Sequence, residues 1–204
     1  MSIANYFTLA RIIISPIFLL LYLEHDLFGI TSQMLPYALL FLLGISELSD
    51  GCDGYFARKF NQVTDLGKVL DPMADSISRI SVFLTFTLDP IRLPMFLIFI
   101  FLYRDSIVST LRIICALKGF ALAARMTGKI KAVIQAFAAF VILLLMIPHS
   151  LGILSTDSLH LYSTIAVSLA AVYTVYSGFD YIHSNWQYIA KLLWLQKKNV
   201  NVLD

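Results

Sequence analysis

Four aspartates hold the most legible chemistry in this 204-residue chain. Asp50 and Asp53 are three residues apart, and Asp71 and Asp75 are four apart. Both spacings put a pair of side chains on one face of an α-helix. A short polar link between the two segments makes their helices antiparallel neighbours, so the four carboxylates can converge. Clustered like charges repel unless a proton or a cation neutralises them. A ligand set made only of oxygen suits a hard divalent ion such as Mg²⁺ or Mn²⁺. The simpler alternative pairs each acid with Arg58, Lys59, Lys68 or Arg79 at an interface, but it does not explain why the acids repeat on single helical faces.

These acids stand out because charge is scarce. Lys and Arg number 15 and Asp and Glu 13, so charged residues are 14% of a chain that is 59% hydrophobic. A soluble domain carries roughly 25% charge, and the mean hydropathy here is +0.80. Composition therefore disfavours a soluble enzyme, a disordered chain and a nucleic-acid-binding domain, and the net charge of +2 supplies no basic tail. Cys52 and Cys115 cannot build a disulfide framework. The N-terminal segment lacks the leading basic region and cleavage site of a signal peptide.

Six stretches, 6–23, 33–57, 69–88, 93–117, 127–147 and 159–182, reach the length of about 20 residues that a bilayer crossing requires. Lipid cannot satisfy open backbone groups, so such stretches must be helical. The expected fold is an all-α integral membrane protein, one domain over residues 1–204 with six transmembrane helices. Arg58, Lys59, Lys68, Lys118, Arg125, Lys129, Lys131, Lys191, Lys197 and Lys198 flank spans on one face, and only Arg92 flanks one on the other. The positive-inside rule then makes both termini cytoplasmic. The last twenty residues read either as a short interfacial segment or as a solvated basic tail. His25, His149, His160 and His183 read as interfacial or structural. Tyr181 and Trp186, near a span end, read as aromatic-belt anchors.

On that frame the aspartates occupy the cytoplasmic ends of the second and third spans. Asp75 lies seven residues past Lys68, which at 1.5 Å per residue is about 10 Å below the boundary. A carboxylate at mid-bilayer costs about 2.5–3.5 kcal/mol, so these positions call for a function. Ion pathways also carry intramembrane acids, which makes a cation or proton transporter the rival class. Against it, the acids cluster on one side of the membrane and no inverted repeat is evident.

The segment from Asp50 to Asp75 reads D-x2-D-G-x2-A-R-x8-G-x3-D-x3-D, with Asp50, Asp53, Gly54, Ala57, Arg58, Gly67, Asp71 and Asp75 at the fixed positions. It resembles the signature of the CDP-alcohol phosphatidyltransferase family. The resemblance implies transfer of a phosphatidyl group from CDP-diacylglycerol to an alcohol, with CMP leaving. It further implies that Asp50, Asp53, Asp71 and Asp75 hold two divalent cations, Mg²⁺ or Mn²⁺. Asp75 would also be the general base, and Gly54, Ala57, Arg58 and Gly67 would contact the cytidine diphosphate portion. A homodimer in the inner membrane, with its site facing the cytoplasm, is implied as well.

Three further pieces resemble the branch of that family whose acceptor is sn-glycerol 3-phosphate: Asn5 to Arg11 as N-x-x-T-x-x-R, Arg104-Asp105…Arg112, and Gly128-Lys129-Ile130-Lys131…Gln135. Asp105 stands where that branch carries Glu, and Ser76 where lysine is common. Arg104 and Arg112 are two turns apart on one side of a helix, and Lys129 and Lys131 open the next. Four cations suit an acceptor that carries its own phosphate; pairing of the arginines with buried acids such as Asp180 is the alternative. Arg104 and Asp105 lie about 100° apart around their helix and should not pair with each other. Inositol phosphate, serine and phosphatidylglycerol are the other acceptors within the family.

Overall fold

A computed structural model describes residues 3–59, 65–117 and 125–190, with the backbone alone for 3–8, 50–59, 65–72 and 116–117. Among these residues there is no strand. The helices are α1 (Ile3–Leu23), α2 (Leu35–Lys59), α3 (Asp65–Thr85), α4 (Met95–Leu117), α5 (Met126–Ser150) and α6 (Thr156–Ser184), and a 3-10 turn covers His25–Phe28. They overlie the six apolar stretches of the sequence. The C-terminal residues 191–204, including the basic tail, lie outside the described residues.

Local chemistry sets several helix ends. Ser155 caps α6, its Oγ accepting from the Ser158 N–H at 3.2 Å, and Asp157 in the first turn complements the positive end of the helix dipole. The turn from α5 into α6 passes through Gly152 at φ +73°, a conformation that costs glycine little. α5 and α6 are each long and apolar enough to cross a membrane. α1 and α2 contain shorter apolar stretches, Leu9–Leu23 and Leu35–Ser49. In α3 and α4 the apolar run is broken by Asp65, Lys68, Asp71, Asp75 and Arg79, and by Arg104, Asp105 and Arg112 respectively.

Each helix packs mainly against two neighbours, in the cyclic order α1–α2–α5–α6–α4–α3. Cross-links fix the directions. The Tyr22 hydroxyl donates to the Asp89 carbonyl at 2.9 Å, and Arg11 pairs with Asp75, so α1 and α3 run parallel. His160 Nδ1 meets the Ile91 carbonyl at 3.1 Å and Arg104 Nε donates to Ser177 Oγ at 3.1 Å, so α4 and α6 run parallel.

The alternating directions divide the bundle lengthwise. The late halves of α1, α3 and α5 and the early halves of α2, α4 and α6 make an apolar core. Phe83 lies edge-on to Phe86 and Phe101 at centroid distances of 6.1 and 5.0 Å, and Phe18 edge-on to Phe86 at 6.0 Å. Ile142, Leu143 and Leu159 close this end without exposure. The opposite halves carry most of the buried polar groups, among them Arg11, Ser46, Ser78, Lys131, Gln135, Thr174 and Ser177.

Candidate active site

α2 and α3 meet at the polar end, where Ser46 Oγ lies 3.3 Å from Ser78 Oγ. Lys59 is thirteen residues past Ser46, and Asp65 thirteen before Ser78. Were the helices parallel, their linked ends would sit about 39 Å apart. The six peptide steps from Lys59 to Asp65 reach roughly 22 Å at most. The pair is therefore antiparallel. From the Ser46–Ser78 contact, Asp50 lies one turn on along α2 and Asp75 just under one turn back along α3. Asp53 and Asp71 lie two turns away in the same senses. The four aspartates thus occupy two matched levels of one helix pair. The side chains of Asp50, Asp53, Asp71, Ala57 and Arg58, and the surroundings of Gly54 and Gly67, lie outside the described residues.

Asp75 is described. Its carboxylate is 34% exposed and Oδ1 accepts from the Nη1 of Arg11, whose side chain is almost wholly buried on α1. The neighbouring Ser15 donates to the Arg11 carbonyl at 2.9 Å, bracing that turn of α1.

Beside Asp75 opens a cleft of about 400 Å³, walled by α3, α4, α5 and the late part of α6. Six basic side chains line it, Arg79, Arg104, Arg112, Arg125, Lys129 and Lys131, against two carboxylates, Asp75 and Asp105. Asp105 is the hub of one wall. It accepts from Lys131 Nζ at 2.7 and 2.9 Å and from Arg104 Nη1 at 3.0 Å. Arg104 is further fixed by its Nε bond to Ser177. Its stem runs against Gly178, where an added Cβ would stand 3.2 Å from Arg104 Cγ. Arg112 Nε donates to the Tyr181 hydroxyl at 3.3 Å, and its guanidinium lies 5.4 Å from that ring centroid. At the mouth, Asp180 accepts from Thr127 Oγ1 at 2.7 Å and pairs with Arg125 Nε at 3.1 Å. Lys129 is exposed at the rim and Lys131 is buried.

The cleft thus gathers Asp75, Arg104, Arg112, Lys129 and Lys131 as the sequence suggests. It also corrects two expectations and bears on one alternative, the pairing of the α4 arginines with Asp180. Arg104 and Asp105 do pair, because a long flexible arginine folds back across the 100° that separates their Cα–Cβ directions. Asp180 takes Arg125 rather than either α4 arginine, since it lies at the rim next to the start of α5. Tyr181 is no belt anchor: it is 2% exposed and holds Arg112 from within the bundle. Arg79, Arg125 and Ser177 also belong to the wall of the site or brace it; only their polarity within apolar helices signals Arg79 and Ser177, and Arg125 precedes α5 as its N-cap.

Comparison with known proteins agrees with this chemistry. Residues 1–177 match the CDP-alcohol phosphatidyltransferase family. A protein of Bacillus subtilis (strain 168) named CDP-diacylglycerol–glycerol-3-phosphate 3-phosphatidyltransferase is 33% identical over 192 residues, covering 91% of this chain and 96% of its own length. One of the same name from Rickettsia bellii (strain RML369-C) is 34% identical over 190 residues, 92% of this chain and 97% of its own. A cardiolipin synthase (CMP-forming) of Streptomyces coelicolor (strain ATCC BAA-471 / A3(2) / M145) is 36% identical over 108 residues, 53% of this chain and 48% of its own. The match over most of the chain, together with a cation-walled cleft beside the signature aspartates, makes the protein an enzyme of the CDP-alcohol phosphatidyltransferase family.

Proposed function

We propose that this enzyme transfers the phosphatidyl group of CDP-diacylglycerol to sn-glycerol 3-phosphate, releasing CMP and forming phosphatidylglycerophosphate. The observation that carries the choice of acceptor is the cleft beside Asp75, with six basic side chains against two carboxylates. A neutral alcohol gives no reason to bury such an excess of positive charge, whereas a phosphate dianion does. The names of the Bacillus and Rickettsia relatives point to the same pair of substrates.

In this proposal the acceptor's phosphate lies between Arg104, Arg112, Lys129 and Lys131. Asp105 holds Arg104 and Lys131 side by side in the cleft wall, and Tyr181 holds Arg112. The acceptor hydroxyl then points towards Asp75, which takes its proton. The hydroxyl oxygen attacks the phosphorus that bears diacylglycerol, the bond to the CMP phosphate breaks, and no covalent enzyme intermediate is required. Gly54, Ala57, Arg58 and Gly67 contact the cytidine diphosphate portion.

Asp50, Asp53, Asp71 and Asp75 fit a pair of divalent cations, Mg²⁺ or Mn²⁺. They are carboxylates only, spaced by one helical turn on two antiparallel helices at matched levels, which is the donor chemistry such ions take. Bound there, the ions would neutralise charge on the diphosphate and orient it for displacement.

The membrane setting follows from the same distribution of charge. We place six transmembrane spans across the inner membrane, with both termini and the site on the cytoplasmic side, because Arg58, Lys59, Lys68, Arg125 and Lys129 belong to the helix ends at the polar end of the bundle. The homodimer implied by the family likeness is part of the proposal.

The test is release of CMP by the purified protein in lipid nanodiscs, supplied with CDP-diacylglycerol, Mg²⁺ and a panel of acceptors. Preference for sn-glycerol 3-phosphate over serine, inositol phosphate and phosphatidylglycerol supports the proposal, and preference for any of the other three overturns it.

A further inference from the structure

Arg79 stands one turn beyond Asp75 on α3 and borders three adjoining spaces. The first is the cation-rich cleft, shared with Arg104 and Lys131. The second is a small recess with Asp75, Arg11 and Ser78. The third is an apolar groove of about 370 Å³ running along α5 past Val133, Phe137 and Phe140. Among the described residues no other borders all three. The Arg79 side chain is 13% exposed, and its Nε is fully buried without a hydrogen-bond acceptor. The Glu47 carboxylate oxygen facing it is 3.8 Å from Nη2, too far for a hydrogen bond. A buried guanidinium with an unfilled donor is costly in isolation, and a planar fork of donors is completed best by an oxyanion such as phosphate.

We infer that Arg79 binds the phosphoryl group being transferred, the one esterified to diacylglycerol. The inference rests on the reaction proposed above. That phosphorus must be open to the acceptor hydroxyl on one side, carry a lipid that leads into apolar surroundings, and lie close to Asp75. Those demands meet where the cleft, the recess and the groove adjoin. As the acceptor oxygen forms its bond to phosphorus, the bond to the CMP oxygen breaks, its electron pair leaves with CMP, and the hydroxyl proton passes to Asp75. Charge on the non-bridging oxygens is then faced by the Arg79 donors.

Steady-state CMP release in nanodiscs tests this. Arg79→Ala is expected to lower kcat by roughly 10²–10³-fold, the loss typical of removing one donor to a developing oxyanion. KM for sn-glycerol 3-phosphate should move by less than about threefold, because the acceptor's own phosphate is held elsewhere. Arg79→Lys keeps the charge but not the fork, and should stay at least about tenfold below the unsubstituted enzyme in kcat. Glu47→Gln removes the facing carboxylate but not the guanidinium, so its kcat should remain within about threefold. The inference is overturned if either Arg79 variant keeps kcat within that range, or if Glu47→Gln matches the Arg79 variants, which would make the pair a structural one. Should Arg79→Ala fail to fold, Arg79→Lys carries the same decision. An unsubstituted enzyme that releases no CMP overturns the proposed reaction and this inference together, a result recognised before any variant is measured.

Discussion

The two ends of the bundle use the same six helices to opposite purposes. At one end Phe18, Phe83, Phe86 and Phe101 interlock edge to face, and Ile142, Leu143 and Leu159 fill what remains. At the other, α1, α5 and α6 bury Arg11, Lys131, Gln135 and Ser177, and α3, α4, α5 and α6 wall a cleft of about 400 Å³. Apolar packing is nondirectional and tolerates no voids. Buried ions are costly and gain their place only through directed partners. The apolar end therefore supplies rigidity, and the polar end gives up packing in order to hold charged groups ready for a ligand. Each helix belongs to both ends, so a side chain in the cleft is braced by a core one or more turns away on its own helix.

Substitutions that separate these purposes break or sharpen the comparison. Asp75→Asn should cause the largest loss, lowering CMP release by about 10³-fold or more, in line with loss of a general base. The variant should remain folded, because Asn still accepts a hydrogen bond from Arg11 and the apolar end is untouched. Turnover above a tenth of the unsubstituted rate would remove Asp75 from the role of base. Phe86→Ala at the opposite end should do the reverse. Truncating a fully buried aromatic costs about 3–5 kcal/mol of stability, to be read from unfolding in detergent, while kcat per folded molecule stays close to normal. A loss of kcat without a loss of stability would mean that the two ends are not separable in this way.

How much of this was legible beforehand differs between the ends for a physical reason. Helix positions followed from the length of the apolar runs. The eight-residue spacing of Arg104 and Arg112 was enough to put both on one cleft, because eight residues bring a side chain back to within about 80° of its starting direction, on broadly the same side of the helix. Packing order was not legible. A short link pointed to α2 and α3 as direct neighbours, but it could not show that α1 would pack against both, with α2 and α3 meeting at Ser46 and Ser78. Tyr181 was misplaced because α6 is apolar on nearly every side, so no stripe marks which face turns inward. The Arg104–Asp105 pair was missed because a helical projection gives Cβ directions and ignores the reach of a four-carbon-scale side chain. The matched levels of the four aspartates needed one cross-helix contact, Ser46 to Ser78, which no spacing within a single helix can supply.

Within the polar end, Arg112 separates anion binding from chemistry. No ion pair to it forms among the described residues; the Tyr181 hydroxyl accepts from its Nε, and the guanidinium lies 5.4 Å from that ring centroid. A charge-assisted hydrogen bond is worth about 1.5–3 kcal/mol, so Arg112→Ala should raise KM for sn-glycerol 3-phosphate by roughly 10–100-fold while kcat at saturation falls far less. Tyr181→Phe, which removes the hydroxyl and keeps the ring, should shift KM in the same direction by a smaller factor. If Arg112→Ala left KM unchanged, the phosphate would have to lie elsewhere in the cleft.

The smallest predicted effect is the sharpest test of how closely the cleft is fitted. At Gly178 the α6 backbone lies against the Arg104 stem, and a methyl group added there would approach Arg104 Cγ to 3.2 Å. Alanine in a helix interior is favoured over glycine by about 1 kcal/mol, so Gly178→Ala should leave stability unchanged or slightly raised. Arg104, however, is held at three points by Gly178, Ser177 and Asp105, and can yield only by moving its guanidinium. If Arg104 binds the acceptor phosphate as proposed, displacing it by a few tenths of an ångström should raise KM for sn-glycerol 3-phosphate about three- to tenfold, a loss of roughly 0.7–1.4 kcal/mol in acceptor binding. A variant that is more stable and binds its acceptor less well would show at one residue that the polar end is shaped for its ligand at the expense of packing. An unchanged KM would show that Arg104 has slack, and that Asp105 alone does not fix it.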